Sequence, residues 1–198
     1  MKPKLTKKKR TTPEERAAAF KPTYVFGYGS LLLPDGINGR GMRKQYRWPD
    51  LASCTLNGYA RSMCAYFGGR NFYGVLEDEK AHCNGVVFRI DSWYDYRTFL
   101  ISEGAISGFK KARTYWPINV AKQITGWDIP KGHRVVTLLC KDDRSNWGRI
   151  ERRYIRLCHE GAKHWGGTFE SEFLATGGIP FDRKTMNHIA KMFGIKLW

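Results

Sequence analysis

The sequence of 198 residues contains no apolar run that approaches the roughly 18 residues of a membrane span. It also lacks a recognisable secretory signal, because its basic start is followed only by the short apolar run 17–20. We therefore expect a cytoplasmic protein that does not enter a membrane. Neither a Gly-Lys-Ser nor a Gly-Lys-Thr triplet is present, which excludes a phosphate-binding loop of that type.

Paired cysteines are also missing. The sequence has an odd number of cysteines and no Cys-x-x-Cys pair, its five thiols being those of Cys54, Cys64, Cys83, Cys140 and Cys158. This pattern argues against a disulfide framework and against a zinc ribbon. Several of these residues have apolar neighbours in the sequence, so we predict buried, reduced thiols.

Acidic residues are scarce. There are 18 Asp and Glu against 34 Lys and Arg, and the resulting net charge of +16 favours polyanionic partners. Residues 1–20 are particularly basic and almost free of apolar side chains, so we expect a mobile tail. Thr12 and Glu15 form a capping pattern that predicts a short helix over 13–19. Residues 2–16 could bind nucleic acid or another polyanion non-specifically, or could simply aid solubility.

The rest of the chain, 21–198, is predicted to be one domain with a C-terminal helical extension over 176–198. The apolar content of the whole sequence, 42%, is enough for a sizeable core. Most strand patterns precede the clearest helix patterns, which favours an α+β domain or a barrel with added helices. We predict strands over 24–26, 55–67, 72–77, 85–90, 116–121 and 134–140, helices over 93–102 and 149–165 and after Asp182, a loop over 34–50 and a turn at 77–80.

A glycine-rich turn follows the first predicted strand. Gly27-Tyr28-Gly29-Ser30 stands between that strand and the apolar run 31–33. Glycines allow close approach of a ligand to the backbone and leave N–H groups free to donate. There is no third glycine, and Pro34 argues against a following helix, so a dinucleotide fingerprint is not indicated. A tight structural turn and a ligand-binding loop both remain open.

Glu103 is a candidate for proton transfer. It stands at the end of an apolar helix pattern, in Phe99-Leu100-Ile101-Ser102-Glu103-Gly104. Partial burial there would raise the pKa of the carboxyl towards neutrality, where a general acid or base works best. On local evidence an ordinary helix-end carboxylate is equally compatible.

His159 and His164 suggest a metal site only superficially. Residues five apart on a helix point about 140° apart, so the two imidazoles cannot easily share a metal ion. We interpret this stretch as a solvated helix face and predict no metal ligands.

Three segments, in this order, resemble the γ-glutamylcyclotransferase superfamily. Residues 25–31 are similar to its glycine-rich substrate loop, particularly in the ChaC-type branch that acts on glutathione. Residues 85–90 and the later Glu103-Gly104 resemble its Gly-Val-Val-Tyr strand and its catalytic glutamate. Residues 154–163 resemble its C-terminal helix, which carries a substrate-side tyrosine. The resemblance covers about residues 24–175.

The resemblance implies an α+β fold, a small mixed β-barrel with flanking helices, and one reaction. The α-amine of a γ-glutamyl substrate attacks its own γ-carbonyl, 5-oxoproline forms, and an amine or peptide leaves. The implied substrate is glutathione or a γ-glutamyl amine or peptide, and no metal or cofactor is implied. Glu103 would be the general acid and base. The implied substrate-binding residues are Val25, Phe26, Gly27, Tyr28, Gly29, Ser30, Leu31, Tyr115 and Tyr154. The alternative is a catalytically altered scaffold that serves as a polyanion-binding module.

Overall fold

The computed structural model describes residues 11–106, 114–144 and 148–177, and it has an α+β architecture. The strands are β1 (Thr23–Gly27), β2 (Leu51–Phe67), β3 (Arg70–Ile90), β4 (Tyr115–Asn119), β5 (Ile124–Thr125), β6 (Val135–Cys140) and β7 (Arg149–Ile150). The helices are α1 (Pro13–Ala18), α2 (Pro34–Asn38), α3 (Trp93–Ser102), α4 (Arg152–His164) and α5 (Gly167–Ala175), and 3₁₀ turns cover Gly29–Leu32 and Trp48–Asp50. The predicted fold class is confirmed.

The strands form a single curled sheet in the order β4-β6-β1-β3-β2-β5, with β7 paired to β3. The long β2–β3 hairpin turns at Gly68 and Gly69, whose φ values of 59° and 80° are those that a tight hairpin turn requires. β3 pairs with β1 near its end and also touches β6 where Val75 faces Leu139. β1 and β6 are themselves paired. Because β3 pairs with both of them, the sheet curls into a partial barrel, as expected.

The core lies inside this curled sheet and beneath α3 and α4. Aliphatic and aromatic side chains from β1, β2, β3 and β6 fill it, together with all five cysteines, which are buried and free. The prediction of buried, reduced thiols is confirmed. Within the described ranges, no helix is both long and apolar enough to cross a membrane.

Helix α3 has the predicted bounds and sets the position of Glu103. The Ser92 hydroxyl caps its N-terminus by accepting the N–H of Asp95 at 3.1 Å. Phe99 and Leu100 are buried against the sheet. This apolar face fixes the rotation of the helix, and Glu103 stands at its C-cap.

Several predicted elements were wrong. Residues 34–50 are not a plain loop, since Pro34 begins α2 and Trp48 begins a 3₁₀ turn. Residues 77–80 do not separate two strands, because β3 spans them; its pairing with β2 shifts there from Asn57–His82 to Tyr59–Glu77, so residues 78–81 form a bulge opposite Gly58. Helix α4 begins at Arg152 rather than Arg149, and β5 and α5 had no predicted counterpart.

The histidine stretch on α4 is a solvated face only in part: Glu160, Lys163 and His164 are exposed, but His159 is buried. His159 is only 3% exposed, and its Nε2 lies 2.7 Å from an oxygen of Glu170 on α5. His164 stacks on Trp48 with ring centroids 3.3 Å apart. These contacts tie α4 to its neighbours, a structural role that the sequence pattern did not suggest.

The described part of the N-terminal tail contains the predicted capping box, with Thr12 and Glu15 bonded reciprocally around α1. None of the α1 side chains is buried, but Phe20 packs against the rings of Trp93 and Tyr96 on α3. The predicted helix after Asp182 lies outside the described residues, as do the first ten residues.

Candidate active site

A cavity of about 770 Å³ opens between the glycine-rich turn, the end of α3 and strands β3, β4 and β6. It brings together most of the predicted site residues, which come from distant parts of the sequence. Those on its wall are Phe26, Tyr28, Ser30, Leu31, Glu103, Tyr115 and Tyr154. The remaining three lie behind the wall: Val25 is fully buried, Gly27 packs on Leu31, and Gly29 packs on Tyr154.

Glu103 is the single carboxylate among the described residues that line the cavity. Its side chain is 13% exposed and forms an ion pair with the Nε of Arg40. The same guanidinium donates from Nη2 to the Ser30 hydroxyl at 3.0 Å. Arg40 therefore links the glycine-rich turn to the end of α3 and holds the carboxylate at the cavity surface.

Two opposing effects act on the Glu103 carboxyl. Burial raises its pKa above the usual range, because charge is disfavoured away from water. The neighbouring Arg40 cation lowers the pKa and offsets part of that effect. A carboxyl with a raised pKa is better suited to hold and release a proton near neutral pH than an ordinary glutamate.

Three buried phenols surround the carboxylate. Tyr115 donates its hydroxyl proton to the Tyr73 carbonyl at 2.8 Å, and Tyr28 donates to the Leu138 carbonyl. The Tyr154 oxygen instead accepts the N–H of Tyr73 at 3.1 Å.

The phenols around the cavity stay neutral. Burial raises the pKa values of Tyr28, Tyr115 and Tyr154 well above 10. They can therefore take part in hydrogen bonds but do not compete with Glu103 as bases. Since the protons of Tyr28 and Tyr115 are engaged by carbonyls, their oxygens are left to accept from a ligand.

The glycine-rich turn approaches α4 too closely for a side chain. Gly29 has a φ of +63°, and a Cβ there would lie 2.7 Å from the Tyr154 hydroxyl. The turn continues as 3₁₀ helix, and the Leu31 N–H donates to the Tyr28 carbonyl at 3.2 Å. Because the Leu31 N–H is already bonded, the N–H of the cavity-lining Ser30 is the donor that a ligand can reach at the start of this 3₁₀ helix.

Sequence reasoning missed several cavity residues. Arg40 lies in a segment rich in glycine and basic residues that was interpreted only as a loop, and its partner is far away in the sequence. Phe67, Arg97 and Ile101 line the outer part of the cavity. The spacing of Arg97 and Ile101, one turn apart on a predicted helix, was the available signal. Lys110, Lys111 and Arg113, a basic run that follows Glu103 in the sequence, lie outside the described residues.

The sequence matches no protein-family model and no curated protein. Its fold is similar to YkqA from Bacillus subtilis, with a TM-score of 0.58 and 18% identity, over 87% of this chain and 55% of that one. It is also similar to an uncharacterized protein from Homo sapiens, with a TM-score of 0.55 and 17% identity, over 85% of this chain and 98% of that one. A gamma-glutamyl cyclotransferase structure matches with a TM-score of 0.52 and 16% identity, over 86% of this chain and 99% of that one.

At these identities the similarity establishes the fold. The chain has the fold of a gamma-glutamyl cyclotransferase, as the resemblance in the sequence implied. It spans 55% of the length of YkqA.

Proposed function

We propose that the protein is a γ-glutamylcyclotransferase that acts on glutathione or on another γ-glutamyl amine or peptide. The observation that carries this proposal is the position of Glu103, a buried carboxylate of raised pKa facing a cavity beside the glycine-rich turn. The fold shared with a gamma-glutamyl cyclotransferase supports it. Fold alone does not determine function, so the argument rests on the site.

In the proposed reaction, the substrate's α-ammonium first loses a proton to Glu103. The freed amine nitrogen attacks the γ-carbonyl carbon and closes a five-membered lactam. The bond between that carbon and the leaving nitrogen then breaks as Glu103 gives its proton to this nitrogen. The Glu103 carboxylate takes the extra proton from the ring nitrogen and passes it to the released amine, which leaves as an ammonium. The products are 5-oxoproline and a free amine or peptide, and no water is consumed.

The other residues bind and orient the substrate. The oxygens of Tyr28 and Tyr115 accept from the ammonium, and Tyr154 bonds to the glutamyl end. The N–H group of Ser30 stabilises the substrate carboxylate or the oxyanion that develops on the γ-carbonyl. Because ring closure is intramolecular, holding the glutamyl chain in its folded-back conformation supplies much of the rate enhancement.

The direct test measures 5-oxoproline by chromatography after incubation of the protein with a panel of glutathione, γ-glutamyl amino acids and γ-glutamyl-lysine. We expect enzyme-dependent release from at least one member. No release from any member by the folded protein would contradict the proposal.

The pH profile should reveal the influence of Arg40. The base form of Glu103 is required, so kcat/KM rises as pH increases through its pKa. Since Arg40 lowers that pKa, Arg40→Met is expected to move the acidic limb of the profile to higher pH. Arg40→Lys, which retains the positive charge, is the matched control and should leave the limb closer to its original position. If the acidic limb of the kcat/KM profile is unchanged in Arg40→Met, Glu103 is not the group whose ionisation sets that limb.

A second candidate function is polyanion binding, and a specific observation favours it. The first turn of α4 carries Arg152 and Arg153, both exposed, and no acidic residue. Positive charge there opposes the helix dipole, so these arginines do not stabilise the helix. Arg156 and Lys163 extend the exposed basic face. We propose that this face and residues 2–16 bind nucleic acid phosphates without sequence preference.

Salt titration tests this second candidate. Binding to mixed DNA and RNA should weaken steeply with salt. On duplex DNA, the logarithm of the binding constant should fall linearly with the logarithm of the salt concentration, with a slope of about −0.9 per phosphate contact. Arg152→Gln, Arg153→Gln and Arg156→Gln combined, or deletion of 2–16, should each reduce that slope. Binding that is absent or independent of salt would exclude this function, while leaving the proposed catalysis unaffected.

A further inference from the structure

The cavity is larger than a glutamyl group requires. Cavities of roughly 300–1,000 Å³ accommodate ligands of drug size. At about 770 Å³, this one has room for the glutamyl group at its floor and for a second, sizeable group further out. The chemistry of the outer part therefore indicates what the leaving group is.

The floor and the rim of the cavity differ in polarity. Glu103 and the buried tyrosines make the floor polar, whereas Phe67 and Ile101 stand at the rim. These two side chains are 55% and 38% exposed, and they are two of the four large exposed hydrophobic residues found in the described part of the chain. Phe72 and Ile106 continue the apolar wall inward. Clustered exposed apolar residues at a cavity mark a binding surface.

A positive charge accompanies this apolar rim. Arg97 lies one turn before Ile101 on α3, on the same face of the helix, and it is exposed. Within ranges 11–106, 114–144 and 148–177 it forms no ion pair, in contrast to Arg40, which is bonded to Glu103 and Ser30. An anionic group at the rim would therefore find an available cationic partner.

We propose that the outer cavity is a leaving-group subsite for a bulky apolar amino acid with a free carboxylate. The preferred substrates are then γ-glutamyl dipeptides whose second residue is aromatic or branched. The apolar side chain packs against Phe67 and Ile101, and the carboxylate faces Arg97. This inference rests on the proposed function, because the group in the subsite leaves as the free amino acid when 5-oxoproline forms.

Turnover gives the first test. We expect kcat/KM for γ-glutamyl-phenylalanine to exceed that for γ-glutamyl-alanine about tenfold or more, and to exceed that for γ-glutamyl-phenethylamine, which lacks the carboxylate. Phe67→Ser and Ile101→Ser should each remove most of the preference for γ-glutamyl-phenylalanine over γ-glutamyl-alanine. Arg97→Gln should remove the preference for γ-glutamyl-phenylalanine over γ-glutamyl-phenethylamine. Tyr94→Ser is the matched control, since Tyr94 is exposed on α3 but does not line the cavity.

Ratios between substrates within one variant are compared, so a change in the amount of folded protein does not affect the result. Equal or better turnover of γ-glutamyl-alanine, glutathione or γ-glutamyl-lysine would overturn the inference and leave the proposed function standing.

Binding tests the subsite independently of turnover. Glutaryl-phenylalanine and glutaryl-alanine lack the α-amine and cannot cyclise. We expect the phenylalanine compound to bind about tenfold more tightly by calorimetry, and Phe67→Ser to abolish the difference. If glutaryl-phenylalanine binds more tightly but no substrate releases 5-oxoproline, the proposed function is overturned and the subsite stands as a binding site. If the two compounds bind equally well, the subsite is overturned.

Discussion

The Glu103→Gln variant is expected to release 5-oxoproline with a kcat about 10²–10⁴-fold below that of the parent protein. Glutamine has nearly the same shape as glutamate and can keep a hydrogen bond to Arg40, but it cannot accept the ammonium proton. No other described residue on the cavity wall replaces it, because the surrounding phenols stay protonated. The measurement is steady-state release of 5-oxoproline from the best substrate of the panel.

Glu160→Gln is the matched control for this variant. Glu160 lies on the outer face of α4, where it pairs with Arg156 and is half exposed, and it does not line the cavity. It should keep full turnover. Circular dichroism and thermal melting should show both variants folded. If Glu103→Gln retains most of the parental kcat, Glu103 is not the base and the proposed mechanism is wrong.

Arg61→Ala is expected to destabilise the fold by about 3–5 kcal/mol. Arg61 is 1% exposed and donates to the carbonyls of Asn84 and Phe173, both at 2.7 Å. It also donates to the Asn84 amide oxygen and to the Thr176 hydroxyl. Its guanidinium lies 3.8 Å from the centre of the Phe173 ring. Truncation would leave these acceptors unpaired in a cavity between the sheet and α5.

Urea unfolding at equilibrium measures this effect. Arg61→Lys should restore only part of the stability, because one ammonium cannot reach four acceptors and also stack on a ring. Arg156→Ala is the control for loss of an arginine at an exposed site, and it should change the free energy of unfolding by about 0.5 kcal/mol or less. A loss below about 1 kcal/mol for Arg61→Ala would show that the Arg61 network contributes little.

Elements with strong local signals could be predicted from the sequence. Ser92 and the apolar face ending at Leu100 defined α3, and an apolar run stopped by glycine defined β1. Such signals lie within a few residues of each other, so no knowledge of the tertiary structure was needed. Local information also suggested that Glu103 could be partly buried with a raised pKa, but it did not distinguish this from an ordinary helix-end carboxylate.

Features that depend on distant partners could not be predicted. Arg40 appeared to be one of several basic loop residues, since nothing local pairs it with Glu103. Arg61 has the sequence signature of a solvent-facing strand residue, and only its distant partners Asn84 on β3 and Phe173 on α5 explain its burial. The charged run 77–80 looked like a turn between two strands, but one strand spans it, and residues 78–81 bulge out where the pairing with β2 shifts its register.

The position of β1 in the sheet has a consequence for the order of folding. The β2–β3 hairpin joins residues close in sequence, whereas β1 pairs in parallel with β6, where Tyr24 faces Val135. Local contacts form fast and distant ones slowly, because long loops must close first. During synthesis, β1 can therefore pair with β3 once residue 90 is available, but its other edge stays unpaired until β6 has left the ribosome. We expect the cavity to be among the last parts of the molecule to form, with that edge of β1 exposed to aggregation until then.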